Sequence, residues 1–165
     1  MPRMTPSTTD KLALRAIDAA DDAFVFEVFS ATRAAPFRQA GLPESVIGPL
    51  LEQQYRAQQS QYRAQFPGAD FDLVMVDGVA VGYVYALRGL SHFALIDVAL
   101  LPAHCGQGIG SRVVGALIAE ADAAGLCLSA HVAKGGRAWR LWQRLGFEVV
   151  GDDGVYLAIE RRPVR

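Results

Sequence analysis

The amino-acid sequence predicts an α/β domain of the α+β kind, a mixed sheet covered by helices, and three observations predict it. Asp77-Gly78 joins two alternating apolar runs, the strongest short hairpin signal in the chain. An apolar run ending at Pro102 feeds a glycine-rich turn and then an amphipathic stretch that Gly125 stops, a strand-turn-helix unit. A second apolar run, from Leu126 to Val132, follows at once, so a strand returns to the sheet after that helix.

Taken in order, Leu12, Leu14 and Ala16 alternate with Ala13 and Arg15 and read as a short strand. The acidic run Asp18 to Asp22 then offers a helix cap ahead of Phe24, Val25, Val28 and Phe29. Gly41, Pro43 and Pro49 interrupt the next stretch, after which Leu50 to Phe66 reads as a polar helix. Tyr55-Arg-Ala-Gln recurs as Tyr62-Arg-Ala-Gln, which puts Tyr55 and Tyr62 on nearly one helical face. That face is either a packing stripe on the sheet or a wall of an acceptor pocket. Strands follow at Phe71 to Val76, Val79 to Leu87 and Phe93 to Leu101, then a helix from about Gly108 to Ala124 and the strand to Val132. Arg137 to Leu145 is a short helix capped by Gly146, and Val155 to Glu160 a closing strand after Asp152-Asp153-Gly154. The expected order is β-α-α-β-β-β-α-β-α-β. Residues 1–10 read as a flexible tail and 11–165 as one domain.

Composition narrows the function. At 165 residues the chain can bury a core without disulfides or a structural metal. Its 16 basic and 17 acidic residues nearly cancel, which argues against a nucleic-acid footprint or a pull toward anionic membranes. No stretch approaches the roughly 20 apolar residues of a membrane span, because Asp97 and the 102–107 loop break the longest candidate. Cys105 and Cys127 are too few and too far apart for a disulfide framework or a metal knuckle, and a cytoplasmic setting with no metal is the expectation.

The chemistry lies in Leu95-Ile-Asp-Val-Ala-Leu-Leu-Pro-Ala-His-Cys-Gly-Gln-Gly-Ile-Gly110. A tight glycine turn entering a helix leaves main-chain N–H groups unpaired at the positive end of the helix dipole, a seat for phosphate. A side chain at Gly106, Gly108 or Gly110 would obstruct that approach. A dinucleotide fingerprint would need glycine or alanine where Ser111 stands, and a Walker loop would need Gly-Lys-Ser/Thr, which is missing. A nucleotide-binding regulator is the competing reading of the same turn.

Gly106-Gln-Gly-Ile-Gly110 after a strand and a proline resembles the coenzyme A pyrophosphate loop of the GNAT N-acetyltransferase superfamily, whose usual form is Arg or Gln, two residues, Gly, one residue, Gly or Ala. Ala138-Trp-Arg-Leu-Trp-Gln-Arg-Leu-Gly-Phe147 is similar to that family's Ala-x-x-Leu-Tyr-x-x-x-Gly-Phe element, at the expected distance. The resemblance is sharp over about residues 71 to 160. It implies a splayed mixed sheet of about six to seven strands flanked by about four helices. It further implies that acetyl-coenzyme A is the cosubstrate and that the pantetheine arm lies against the main chain of Val98, Ala99 and Leu100. The diphosphate would sit on Cys105, Gly106, Gln107, Gly108, Ile109, Gly110 and Ser111, with Trp142 at the coenzyme's thiol end. Transfer would run directly from the thioester to an amine of a small-molecule acceptor, in a ternary complex.

Two departures from the family pattern matter. Cys105 stands where Arg or Gln opens the loop, which removes one phosphate-binding side chain; Arg112, His104 or Gln107 are the candidate replacements. Trp142 stands where a tyrosine commonly protonates the thiolate, and an indole N–H is no useful acid. They motivate an alternative, a GNAT-like module that binds acyl-coenzyme A without turnover. Asp97 is the candidate base, since it interrupts an apolar strand beside the acetyl position; a structural role as partner for an arginine or amide is the other reading. His131, on the strand across the split, could act as a second base or acceptor contact, or be a hydrogen-bonded core histidine. Tyr83 and Tyr85 share a strand face and could supply a phenol or simply pack. A homodimer is compatible with such an enzyme, although no seam in the sequence argues for one.

Overall fold

The computed structural model describes residues 10–135 and 138–165, so nearly all of the expected tail, and the first residue of the expected last helix, lie outside the described residues. Seven strands form one sheet in the order β1-β2-β3-β4-β5-β7-β6. They are β1 (Leu12–Ala16), β2 (Asp70–Val76), β3 (Val79–Arg88), β4 (Phe93–Leu100), β5 (Leu128–Ala133), β6 (Glu148–Asp152) and β7 (Tyr156–Arg161). The helices are α1 (Asp22–Arg33), α2 (Ala35–Gln39), α3 (Glu44–Gln65), α4 (Ile109–Ala124) and α5 (Ala138–Arg144). This is the mixed, open α/β sheet that the sequence predicts.

Local chemistry explains the elements. Asp77 and Gly78 both have positive φ, 50° and 80°, as a two-residue hairpin between twisted strands requires. The Asp18 carboxylate accepts from the Ala20 amide and Asp21 answers to the Asp18 amide, a capping box that opens a single 3-10 turn ahead of α1. Gly125, at φ 68°, ends α4 through amide bonds to Ala121 and Asp122.

Three expectations are corrected. Pro49 does not interrupt a helix but lies inside α3, which starts at Glu44. Its missing N–H deprives only the Ser45 carbonyl, and both residues are exposed, so water can serve that group while Ile47, Leu51 and Tyr55 bury the other face. The short α2 was not expected, and it brings the described helices to five. The third is β6, an unexpected edge strand: its side chains are mostly exposed and its pairing with β7 is irregular, so main-chain bonds hold it where no apolar alternation could announce it.

Two apolar layers sandwich the sheet. On one face α4 and α5, with Phe147 just beyond α5, pack Val113, Leu117, Trp142 and Phe147 against Val84, Leu95, Leu128 and Ile159. On the other, α1 and α3 bring Val28, Phe29, Leu51 and Tyr55 onto Leu73, Tyr83 and Tyr85. Burying each such side chain contributes on the order of 1.5–3 kcal/mol, which fixes both helix layers to the strands.

The sheet departs from regularity at β4, and there the site forms. β4 pairs in parallel with β5 only at Phe93↔Leu128 and Ala94↔Ser129, beyond which the two strands part. On its other side β4 stays paired with β3 as far as Gly82↔Leu100. Between Tyr85↔Asp97 and Ala86↔Leu95 the register shifts, leaving Ile96 as an extra residue in β4. This bulge has a consequence for direction. Leu95 packs in the α4 layer, Ile96 in the α1–α3 layer, and strict alternation would send Asp97 back toward α4. The extra residue instead turns Asp97 to the α1–α3 face, after which Val98 and Leu100 return to the α4 side and Ala99 to the α1 side.

Candidate active site

The head of the opening between β4 and β5 is the turn before α4. Gly106 and Gly108 hold left-handed φ of 74° and 80°, and Gly108 is the N-cap of α4 without any side-chain capping bond. A Cβ at either would meet no protein atom within 4 Å, so the turn presents bare main chain to open space. The first-turn N–H groups at Ile109, Gly110 and Ser111 have no intrahelical acceptor, and Ile109, fully buried, anchors the turn to the core. Gly110 is ordinary helical backbone, where a Cβ would touch only Leu100 Cδ1 at 3.8 Å.

Two side chains around this turn bond to main-chain carbonyls. Gln107 Nε2 donates to the Ala103 carbonyl at 3.0 Å, and Arg112 Nη2 to the Asp10 carbonyl at 2.7 Å. Each bond uses one donor and leaves the others of that side chain available at the turn. The Cys105 thiol is exposed and lies 3.6 Å from the Leu101 carbonyl and 3.7 Å from that of Leu100, and among the described residues it has no hydrogen bond to an imidazole or carboxylate. That arrangement offers nothing to make it a nucleophile.

Val98, Ala99 and Leu100 are half-buried and pair with Val84, Tyr83 and Gly82 on one edge only; the other edge faces the opening. An unpaired strand edge ending at a glycine cradle is the donor and acceptor set that a pantetheine diphosphate needs, so these residues fit the coenzyme that the sequence implies.

Asp97 stands at the side of this opening. Its side chain is 17% exposed, accepts a hydrogen bond from the Tyr83 hydroxyl at Oδ2 (3.2 Å), and has Arg33 Nη2 3.9 Å away. Burial pushes the carboxyl above the usual carboxylate range, and the opposing pull of Arg33, Tyr83 and the Val98 amide is smaller. Tyr83 and Tyr85 stack at 4.6 Å, both fully buried, and burial raises both phenols, Tyr85 to about 12. Tyr83 is thus a donor that keeps its proton. Tyr85 accepts from Gln59 Nε2 at 2.9 Å.

His131 is on β5 and exposed, so it is no core histidine. Leu128, Ala130 and Val132 face the α4 layer; His131 therefore faces the side that Asp97 occupies. Trp142 is 8% exposed and meets Phe147 edge-on at 5.2 Å within the α4–α5 layer. The tyrosine stripe of α3 divides: Tyr55 packs on Phe26 and Phe29 and donates to Asp22, whereas Tyr62 is half-buried, edge-on to Tyr85. Burial, then Asp97, pushes the Tyr62 phenol up to about 12, so it belongs to the surroundings of that carboxylate.

Sequence reasoning missed Arg33. As the last residue of α1 it reads as an ordinary basic helix end, and nothing in the sequence links it to a strand more than sixty positions on. A cavity of about 280 Å³ also opens on the α1–α3 face, lined by Ile17, Asp22, Tyr55, Gln59, Phe71 and Tyr85; it takes in two of the tyrosines that the sequence nominates, but neither Asp97 nor His131.

A sheet split beside a glycine cradle, with a half-buried carboxylate at its side, is an arrangement that suits an acyl-coenzyme A-dependent transferase. The chain belongs to the acetyltransferase (GNAT) family, whose sequence model matches residues 36–147. Members of that family are acyltransferases that use acetyl-coenzyme A. Solved structures share the fold. The PaiA N-acetyltransferase from Thermoplasma acidophilum, in complex with coenzyme A, superposes with a TM-score of 0.68 at 16% identity, covering 92% of this chain and 99% of that one. For an acetyltransferase from Thermus thermophilus the TM-score is 0.64 at 20% identity, with 92% and 96% covered. The ribosomal-protein-S18-alanine N-acetyltransferase from Escherichia coli gives 0.65 at 16% identity, with 94% and 96% covered. No curated protein matches the sequence. Among the described residues, no helix is long and apolar enough to cross a membrane.

Proposed function

We propose that the chain is an N-acetyltransferase that moves an acetyl group from acetyl-coenzyme A directly to the amine of a small acceptor, both bound at once. The observation that carries this reading is the parting of β4 from β5 after Ala94, with the bulge at Ile96 aiming Asp97 beside the gap. Acetyl-coenzyme A supplies the activated acyl group. The amides of residues 105–111 hold its diphosphate, and the edge of Val98 to Leu100 aligns its arm.

Asp97 takes the proton that the amine loses as the new C–N bond forms and the C–S bond breaks. Its raised affinity for protons makes it a stronger base than an ordinary carboxylate. His131, exposed on the same face, contacts the acceptor or relays that proton to solvent. Trp142 is a packed wall, and the thiolate takes its proton from water.

Calorimetry with acetyl-coenzyme A tests the binding half: the wild type binds and Gly108→Asp does not. Thiol release over a panel of amines tests the transfer half. The packed indole at Trp142 favours a second reading, a module that binds acyl-coenzyme A without turnover. Binding without thiol release from any amine would establish that reading and overturn the first.

A further inference from the structure

We infer that Arg33 is a specificity-determining residue that seats a carboxylate of the acceptor, so that the preferred acceptors are amino acids or other amines bearing a nearby carboxylate. The inference rests on the acetyltransferase reading above and names the substrate class of that same site.

Arg33 closes α1 directly over the α1–α3 face, its guanidinium 4.8 Å from the Phe29 ring centroid and its Nη2 3.9 Å from Asp97 Oδ2. That separation is too long for a hydrogen bond. Among the described residues none of its N–H groups donates to any acceptor, and Asp97 is the only carboxylate within 4.0 Å. Arg63 on this face also lies over a ring, that of Phe71 at 4.6 Å, but has no carboxylate within 4.0 Å among the described residues, whereas two other arginines are already paired. Arg56 is held bidentately by Asp22 and Arg38 is clamped by Glu44, so their forks are filled. Arg33 has a planar fork of five donors, an aromatic shelf beneath it, 40% of its side chain open to solvent, and the candidate base as its neighbour.

Such a cation is a liability for a simple alkyl amine. An ammonium approaching Asp97 meets Arg33 first and is repelled, while the carboxylate meant to attract it is already partly neutralised. An acceptor with its own carboxylate reverses this. The carboxylate fills the fork of Arg33, relieves the repulsion, and leaves the amine a short reach from Asp97. As counter-charge to Asp97, Arg33 is at the outer limit of ion-pair distance and makes no hydrogen bond to it, so its N–H groups stay available to a second carboxylate.

The test is a set of matched acceptors, each an amino acid beside its amide and its decarboxylated amine, assayed by thiol release with wild type, Arg33→Gln and Arg33→Lys. The wild type is expected to favour the carboxylate by on the order of 10- to 100-fold in kcat/KM; Arg33→Gln collapses that ratio and Arg33→Lys retains part of it. A wild type that uses the decarboxylated amines as well as the amino acids overturns the inference and leaves the acetyltransferase reading standing. So does an Arg33→Gln loss that is equal for all three forms, since that marks a counter-charge to Asp97. Absence of thiol release from every acceptor overturns the acetyltransferase reading itself, and the inference with it.

Discussion

The Tyr83 hydroxyl on β3 donates to Oδ2 of Asp97 on β4 at 3.2 Å, a contact that exists only because the extra residue Ile96 turns Asp97 onto the face of Tyr83. Tyr83 is buried and Asp97 half-buried, yet they respond differently to pH. The phenol keeps its proton throughout the working range, while the carboxyl titrates above its ordinary value.

Activity should therefore rise with pH along a limb set by Asp97, lying above the usual carboxylate range. Tyr83→Phe removes a donor to the charged form, so the limb moves to higher pH. Asp97→Asn removes the limb and lowers kcat by about 10²- to 10⁴-fold. A pH–rate profile for the three proteins checks both statements.

The same carboxyl has a stability signature. Its folded pKa is raised, so the folded chain binds that proton more tightly than the unfolded one; the benefit is full below the unfolded value and is lost as pH rises through the folded value. Asp97→Asn should therefore melt at or above the wild-type temperature at neutral pH. The difference should shrink as pH falls below the carboxylate range, as thermal unfolding followed across pH would register.

Gly82 sets how closely β3 and β4 approach where the coenzyme edge begins. A Cβ there would run into the Ala99 carbonyl oxygen and lie 2.7 Å from Leu100 Cδ2, so something must shift. Gly82→Ala is expected to cost about 1–3 kcal/mol in denaturant unfolding. It should also weaken acetyl-coenzyme A binding, because the displaced residues are Ala99 and Leu100.

Cys105 is exposed at the mouth of the turn with extended backbone, so an arginine fits without strain. Cys105→Arg restores the side chain usual in the family and should tighten acetyl-coenzyme A by roughly two- to fivefold, a gain that added salt removes. Titrations at low and high ionic strength would reveal it.

Trp142 should act through packing alone. Its contact with Phe147 closes the α4–α5 layer, and Trp142→Ala is expected to lose about 3–5 kcal/mol of stability. Chemical denaturation measures it.

Much of the fold is legible in the sequence because its signals are local. The Asp77-Gly78 turn, the glycine stop at Gly125 and the cradle at Gly106 and Gly108 each need a backbone conformation that the residue type announces. What stays hidden depends on distant partners. β6 is held by β7 and not by its own side chains, and α3 tolerates Pro49 because Ser45 happens to face water. The bulge at Ile96 is invisible in a run that reads as uniform apolar strand, so sequence can nominate Asp97 without saying which way it points. Arg33 lies beyond local reasoning altogether, since only the packing of α1 on β4 brings it to the site.

Crystals grown with acetyl-coenzyme A test the central claim most directly. The expected result is diphosphate density on the amides between Cys105 and Ser111, and pantetheine running along Val98 to Leu100 with the thioester beside Asp97. Coenzyme density lying elsewhere, with β4 and β5 closed upon each other beyond Ala94, would contradict it.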